Sequence, residues 1–309
     1  MNHFKGIKLK IEYWKLHMLM FNDQCSTTFM KLIPAIKKNQ DLIDEIDSLR
    51  GGAGFHLWWL GQSGFFLQWK GTRVLIDPYL SESLTKKYAT TNRPHIRMSE
   101  RVVDPELLKD ISVVTSSHNH TDHLDAETLI PVLKNNPGIS FIIPEANRDF
   151  VAERVKCKRE FPIGLNEGKS VTVDEFTFHG VPARHNDIER DERGNCKFMG
   201  YVIEFSNYRI YHSGDTLWFD KMVEFLKPFA VDVAILPING NDPSRKVAGN
   251  LNCAEAAKLG KDIGAKHVIP CHYDMFTFNT ADVQDFAREA ERLDQPYKVL
   301  RGGERFSSH

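Results

Sequence analysis

The chain has 309 residues, and its 40 lysines and arginines nearly balance its 41 aspartates and glutamates. With 41% hydrophobic and 26% charged residues, it has the composition of a soluble globular protein long enough to bury its own core. The net charge of −1 excludes a general electrostatic attraction to nucleic acid or to an anionic membrane.

The first residues and the cysteines favour a cytoplasmic protein. The start of the chain mixes charges among its apolar residues, so it predicts no signal peptide. No run of about 18 uncharged apolar residues occurs, so stable membrane insertion is not expected. The five cysteines are odd in number and widely spaced, which argues against a disulfide framework.

Residues 1–50 are predicted to be an N-terminal helical extension, separate from a main domain over 51–309. Apolar residues recur there at roughly helical spacing, and glycines end the pattern. These apolar positions are Leu32, Ile36, Leu42, Ile43, Ile46 and Leu49, and the glycines are Gly51, Gly52 and Gly54. We expect the extension to pack on the body or on a partner subunit.

The main domain reads as two successions of strands, each followed by mixed strands and helices. Strands are predicted at 55–60, 65–69, 73–76, 111–115, 141–143, 171–173, 175–179, 199–205, 209–212, 231–236 and 267–269. Helices are predicted at 126–133, 146–155, 253–263 and 281–293, and residues 81–103 are expected to form a long polar loop. The first three strands should be antiparallel, because glycine turns separate them. The order predicts an α/β fold of two sheets stacked face to face with helices outside.

The strongest chemical signal is Ser117-His118-Asn119-His120-Thr121-Asp122-His123, which directly follows a predicted strand. Imidazole and carboxylate groups are suitable ligands for Zn²⁺, Mn²⁺ or Fe²⁺. In an extended stretch His118 and His120 point the same way, while Asp122 and His123 begin a turn and can face a second ion. A surface helix cap would need only one such residue. The motif therefore predicts a metal site.

A strand followed by His-x-His-x-Asp-His resembles the metallo-β-lactamase fold, a four-layer αββα sandwich. Three later segments match the remaining motifs, and each follows a predicted strand. They carry His185, Asp215 and His272. The resemblance covers about residues 55–303 and implies two divalent metal ions, Zn or Mn with Fe also acceptable.

The resemblance also implies a role for each matched residue. His118, His120 and His185 would hold the first metal; Asp122, His123 and His272 would hold the second. Asp215 would bridge them. A hydroxide bridging the metals would attack the substrate, with Asp122 orienting it and passing a proton to the leaving group. Asp77 resembles the family's aspartate that orients a ligand histidine through the free N–H of its ring, although an ordinary Asp-Pro turn explains it equally well.

The residue at position 120 distinguishes between branches of this superfamily. In the oxygen-reducing diiron branch a glutamate replaces this histidine. His120 therefore favours hydrolysis over redox chemistry.

The segments around the motifs resemble the L-ascorbate-6-phosphate lactonase group. These are Leu57–Gly64, Tyr211–Asp215, Asn239–Arg245 and Ile269–Asp274. The resemblance implies hydrolytic opening of a small phosphorylated sugar lactone, in a homo-oligomer. Predicted substrate contacts are Arg184, Arg245, Asn239 and Tyr273, and His212 is predicted to support a ligand. Cations of the 81–103 loop could also hold a phosphate, or could simply be solvated; they are Lys86, Lys87, Arg93, Arg97 and Arg101.

Two other functions stay open. The motifs also resemble N-acylphosphatidylethanolamine phospholipase D, a phosphodiesterase whose apolar groove could come from Tyr13, Trp14, Leu16, Met18, Leu19, Met20 and Phe21. A non-catalytic metal-bearing protein that binds a metabolite is the alternative from another class. A nuclease is disfavoured, because the chain has no basic excess.

Overall fold

The computed structural model describes residues 31–245 and 249–308. Residues 32–309 form one compact unit. Residues 1–30 of the predicted 1–50 extension, with the apolar residues between positions 13 and 21, lie outside the described part of the chain. The division at residue 50 stays a prediction.

Two mixed sheets form the centre of the unit. The first has the strand order β13-β1-β2-β3-β4-β5-β6 and the second has the order β12-β11-β10-β9-β8-β7. The first-sheet strands are β1 (Phe55–Gly61), β2 (Gly64–Trp69), β3 (Thr72–Ile76), β4 (Val113–Thr115), β5 (Ser140–Pro144), β6 (Ile163–Leu165) and β13 (Arg305–Ser307). The second-sheet strands are β7 (Ser170–Val173), β8 (Phe176–Pro182), β9 (Met199–Phe205), β10 (Tyr208–His212), β11 (Val233–Pro237) and β12 (His267–Cys271).

The helices cover the outer faces of the sheets. They are α1 (Asn39–Ser48), α2 (Ser83–Tyr88), α3 (Ala126–Asn135), α4 (Arg148–Val155), α5 (Met222–Leu226), α6 (Cys253–Ile263) and α7 (Val283–Arg292). Alternation along β1 shows the layering, because successive side chains of a strand point to opposite faces. Leu57 and Trp59 join the core between the sheets, whereas Trp58 and Leu60 pack with α1 and α3. The predicted αββα sandwich is confirmed.

The directions of the strands bring their carboxyl ends to one edge. Strands β3, β4, β5 and β6 are parallel, and β1 runs in the same direction because both β1 and β3 are antiparallel to β2. In the second sheet β8, β10, β11 and β12 share one direction. The loops that follow these strands therefore gather at the edge where the sequence places its histidines and aspartates.

Several predicted elements differ from the observed ones. Residues 81–103 are not loop throughout, because α2 lies within them. The apolar stripe does not form a helix before Asn39; Leu32 and Ile36 are exposed. Pro34 accounts for this, since a proline disfavours helical backbone in the residue before it. Strands β6 and β13 and helix α5 are short, and the sequence pattern did not reveal them.

Candidate metal centre

The seven predicted ligands converge on the shared edge in two groups. His118, His120 and His185 form donor group 1; Asp122, His123, Asp215 and His272 form donor group 2. Within each group the ligand atoms lie within 4.8 Å of one another. Residues 118–123 follow β4, and the other three ligands follow β8, β10 and β12. Both sheets therefore contribute to the centre.

Asp215 lies close to ligands of both groups. Its Oδ1 is 3.2 Å from Nε2 of His123, and its Oδ2 is 3.4 Å from Nε2 of His272. The same Oδ2 is 3.7 Å from Nε2 of His185 in donor group 1. This position suits the bridging role that the sequence resemblance implies.

The outer nitrogens of the histidines are held by the protein. Nδ1 of His123 lies 2.8 Å from Oδ2 of Asp77, and Nδ1 of His185 lies 2.9 Å from the carbonyl oxygen of Gly249. Nδ1 of His118 lies 3.0 Å from Oγ of Ser117. Such contacts fix the ring orientation and leave Nε2 for a metal.

Buried atoms without partners test whether the residues fit a metal. Nε2 of His118, Nε2 of His123 and Oδ1 of Asp215 are buried without a hydrogen bond of normal geometry in the described part of the chain. Unsatisfied buried polar atoms are costly. A cation would satisfy all three, and the nitrogen and oxygen donor set suits Zn²⁺, Mn²⁺ or Fe²⁺. The residues therefore fit two divalent ions.

The electrostatics differ between the two groups. Burial, reinforced by His185, lowers the pKa of His120 to about 4. Burial and neighbouring histidines also lower the pKa of His118 and of His185. In donor group 2 burial acts in the same direction, but Asp215 and Asp122 outweigh it and raise the pKa of His272 to about 9. Without metal, these pKa shifts favour neutral imidazoles in donor group 1 and carboxylates paired with protonated imidazole in donor group 2.

Two residues support the donors from the loops of the first sheet. Asp77, fully buried after β3, accepts hydrogen bonds from Thr115 Oγ1 and from the backbone N–H of Ser117, both at 3.0 Å. Gln62, in the β1–β2 turn, donates from Nε2 to Oδ2 of Asp122 at 2.9 Å. Its backbone oxygen accepts from the N–H of His272 at 3.0 Å. No role for Gln62 is predicted from the sequence, although its Gly-Gln-Ser-Gly turn is a visible signal.

A cavity of about 590 Å³ opens above the donor groups. Its lower part is formed by Gln62, His120, Asp122, His185, Asp215 and His272. The wall contains apolar and aromatic residues, Leu84, Tyr88, His95, Phe150, Phe276 and Phe278, and three cations, Lys87, Arg93 and Arg154. The size is that of a site for a small molecule.

The predicted substrate contacts lie outside this lining. Tyr273 is buried, stacks on Trp59 at 4.5 Å between ring centroids and donates its hydroxyl to the carbonyl oxygen of Leu300. Arg184 donates to the backbone oxygens of Asn186 and Trp218. Arg245 donates to the oxygens of Asn239 and Asn279.

Two of these residues, Asn239 and Arg245, are connected to the cavity through Asn279. This residue lines the cavity, and its Oδ1 accepts from both Arg245 and Asn239. His212 is buried, with Nε2 2.9 Å from the carbonyl oxygen of Ser63 and Nδ1 accepting from the N–H of Gly214. It lies between the turn of Gln62 and the loop of Asp215.

The cations of the 81–103 loop, predicted either to hold a phosphate or to be solvated, divide into two sets. Lys87 and Arg93 line the cavity. Arg97 is buried and pairs with Glu82 at 2.6 Å; Lys86 pairs with Glu127 and Arg101 with Asp104 on the surface.

Comparison with known proteins agrees with the fold and the centre. The family described as the β-lactamase superfamily domain matches residues 72–273. The chain therefore belongs to the β-lactamase superfamily, as a metal-dependent hydrolase of the UPF0173 family. A UPF0173 metal-dependent hydrolase of Rubrobacter xylanophilus is 30% identical over 82% of this chain and 97% of its own length. One from Pyrococcus furiosus is 28% identical over 74% of this chain and 89% of its own length.

Solved structures show the same fold. The isothiocyanate hydrolase from Delia radicum gut bacteria superposes with a TM-score of 0.65 at 21% identity, over 82% of this chain and all of that chain. In the part of the chain that the structure describes, no helix is both long enough and apolar enough to cross a bilayer.

Proposed function

We propose that this hydrolase opens a small phosphorylated sugar lactone such as L-ascorbate 6-phosphate. The observation that carries the proposal is the cavity itself, in which complete donor groups lie beneath a wall that carries cations. A phosphate on the substrate would meet the cations while its lactone carbonyl reached the donor groups.

The chemistry is the addition of water across an ester bond. Two divalent ions held by the two donor groups would supply a water of lowered pKa and polarise the carbonyl. Asp122, which lines the cavity floor, would accept a hydrogen bond from the attacking water. It would then carry that proton to the ring oxygen as the carbon–oxygen bond breaks, so that the products are one hydroxyl and one carboxylic acid, which releases its proton to the solvent as it ionises. Gln62 holds Asp122 for this role through Nε2.

The two alternatives have less support. A phospholipase needs an apolar groove that faces a membrane, and the residues offered for it lie outside the described part of the chain. A non-catalytic metal-bearing protein would be favoured by an incomplete donor set. Here all seven donor side chains are in reach of one another within their groups.

The test is hydrolysis of L-ascorbate 6-phosphate, followed as loss of its ultraviolet absorbance, with Zn²⁺- and Mn²⁺-loaded protein. We expect chelator-sensitive turnover. His120→Ala should lose a metal and nearly all activity while remaining folded. Asp174→Asn changes an exposed turn residue and should alter neither the metal content nor the activity. Protein with two bound ions per chain and no turnover would refute the lactone assignment. Binding to lipid vesicles would then favour the phospholipase.

A further inference from the structure

Arg154 is a half-buried cation in the cavity wall that has no carboxylate partner among the described residues. Its Nη1 donates to the backbone oxygen of Asn119 at 2.7 Å and more weakly to that of Leu124 at 3.4 Å. The guanidinium lies 4.4 Å from the ring centroid of Phe150, one helical turn earlier in α4. Burial lowers the pKa of Arg154, and only the more distant Asp125 opposes this effect.

Three other arginines whose side chains are at most 16% exposed are paired with carboxylates. Arg73 pairs with Asp47, Arg97 with Glu82 at 2.6 Å, and Arg148 with Glu145 at 2.7 Å. Removing a guanidinium from water without a counter-charge is unfavourable, so these pairs follow the usual pattern. Arg154 departs from it at a position that faces a ligand cavity.

The charge distribution of the cavity indicates what completes this cation. The carboxylates among the described lining residues are Asp122 and Asp215, and both belong to donor group 2. The wall above them carries Lys87 and Arg154, and no acidic residue lines it in the described structure. Such a wall is complementary to an anion that enters with its electrophilic end toward the floor.

Asn119 connects Arg154 to donor group 1. It stands between His118 and His120, and its backbone oxygen is the one that Arg154 holds. Its side-chain Oδ1 is buried with no hydrogen-bond partner in the described residues, and Asn119 also lines the cavity. A hydroxyl beside the anion could donate to this oxygen.

We propose that Arg154 and Asn119 form a subsite for the phosphate end of a polyhydroxylated substrate, remote from the bond that is broken. This rests on the proposed function and names the residues that would select its substrate. A guanidinium can hold two phosphate oxygens at once, which fixes direction as well as position. Phe150 covers the guanidinium from one side and keeps it directed along the wall.

The test is calorimetric binding of 6-phospho-D-gluconate and of D-gluconate to the metal-loaded protein. These acids are the opened forms of two lactones that differ only in the phosphate. We expect the wild-type protein to bind the phosphorylated acid at least about tenfold more tightly, which is about 1.4 kcal/mol. Arg154→Gln should reduce that preference to within about twofold, and Arg154→Lys should retain part of it.

Arg159→Gln is the matched control. It removes one positive charge only five residues from Arg154, but from an exposed arginine that pairs with Asp149 on the surface. It should keep the full preference. Metal analysis and melting curves of each variant show whether the centre and the fold are intact. Equal weakening of both acids by Arg154→Gln would make Arg154 a support for the Asn119 loop and overturn the proposal, as would a wild-type protein without preference.

Turnover separates this subsite from the proposed function. A protein that prefers the phosphorylated acid through Arg154 but opens neither of these lactones nor L-ascorbate 6-phosphate would refute lactone hydrolysis and retain the subsite. Turnover of both lactones with equal kcat/KM in wild-type and Arg154→Gln protein would retain the hydrolysis and overturn the subsite.

Discussion

At the scale of single residues, three residues of the metal centre adopt a left-handed backbone. Gln62, Asp77 and His272 all have positive φ, at 50°, 41° and 65°, although none is glycine. A left-handed backbone costs a residue with a side chain about 1–2 kcal/mol. Such strain persists where the surroundings fix the conformation. Here the left-handed backbone directs Gln62 toward Asp122 and Asp77 toward His123. It also directs His272 into donor group 2.

Replacing Gln62 by glycine should separate positioning from stability. Gln62→Gly removes the amide that holds Asp122 but keeps the turn, since glycine accepts positive φ freely. We expect kcat of the metal-loaded protein to fall about tenfold, the effect of one lost hydrogen bond to a charged group, with no loss of thermal stability. Lys70→Gly makes the same backbone change at φ 47° in the exposed β2–β3 turn and should leave kcat intact. Unchanged kcat in Gln62→Gly would show that Asp122 needs no such support.

The two donor groups should respond differently to pH. Because the pKa of His272 is raised to about 9, this residue carries a proton at pH 7 that a metal must displace. Affinity at donor group 2 should therefore rise about tenfold per pH unit from pH 6 to 8 for each proton displaced. The pKa of His120 is lowered to about 4, and His118 and His185 are also shifted downward, so donor group 1 should bind with little change over this range. Two-site competition with a chromophoric chelator measures both affinities, and parallel slopes would contradict the assignment.

At the scale of elements, α1 packs against the outer face of the first sheet. Leu42 and Ile46 are fully buried against the outer face of the first sheet, and the backbone oxygen of Ile46 accepts from Nε2 of Gln68 in β2. Glu45 of the same helix pairs with Arg305 of β13. The helix thus closes one outer layer of the sandwich.

Two isoleucines on either side of the start of α1 provide a matched test of that packing. Ile46→Ala should lower the free energy of unfolding by about 2–5 kcal/mol, because it leaves a cavity in a closed layer. Ile36→Ala removes the same atoms from a side chain that is 46% exposed and should cost less than about 0.5 kcal/mol. Denaturant unfolding measures both. Equal effects would mean that α1 is not anchored as the structure shows.

Long elements were predictable from the sequence and short or tertiary ones were not. The bounds of β9 and α6 agree with their periodic patterns, and the latter also carries a capping box at Asn252 and Glu255. The strand over 305–307 has only three residues, too few to show a periodic pattern. Its extended conformation depends on its pairing with β1. Metal-ligand types are visible in the motif spacing. The cavity wall was not predictable, since Phe150 and Arg154 on α4 meet Phe276 and Phe278 only after folding.

At the scale of the whole molecule, the centre joins the two sheets. Donors follow β4 of the first sheet and β8, β10 and β12 of the second. Gly214 lies at a close contact between the two layers: a Cβ there would stand 2.6 Å from the backbone oxygen of Met199 and 2.7 Å from Cβ of Ser117. A bound ion would add a link across that contact.

Metal removal should therefore lower the stability of the whole unit. Free metal at 100 times its dissociation constant stabilises a folded protein by about 2.7 kcal/mol for each site. We expect chelation to lower the melting temperature cooperatively, without separate unfolding of one sheet. Asp215→Asn should remove most of the metal-induced increase, because Asp215 approaches ligands of both groups. Asp174→Asn should keep the full increase, and a metal-independent melting temperature in the wild-type protein would contradict this view.

The floor and the wall of the cavity are built from different parts of the chain. The floor groups lie in loops at strand ends of both sheets, whereas the wall comes from α2 and the segment that follows it, from α4 and from residues 276–279. The wall can thus vary by insertion or substitution while the chemistry beneath it is preserved. Over evolutionary time, one reaction can pass to new substrates by exchange of surface segments, and relatives with this centre need not share a metabolite.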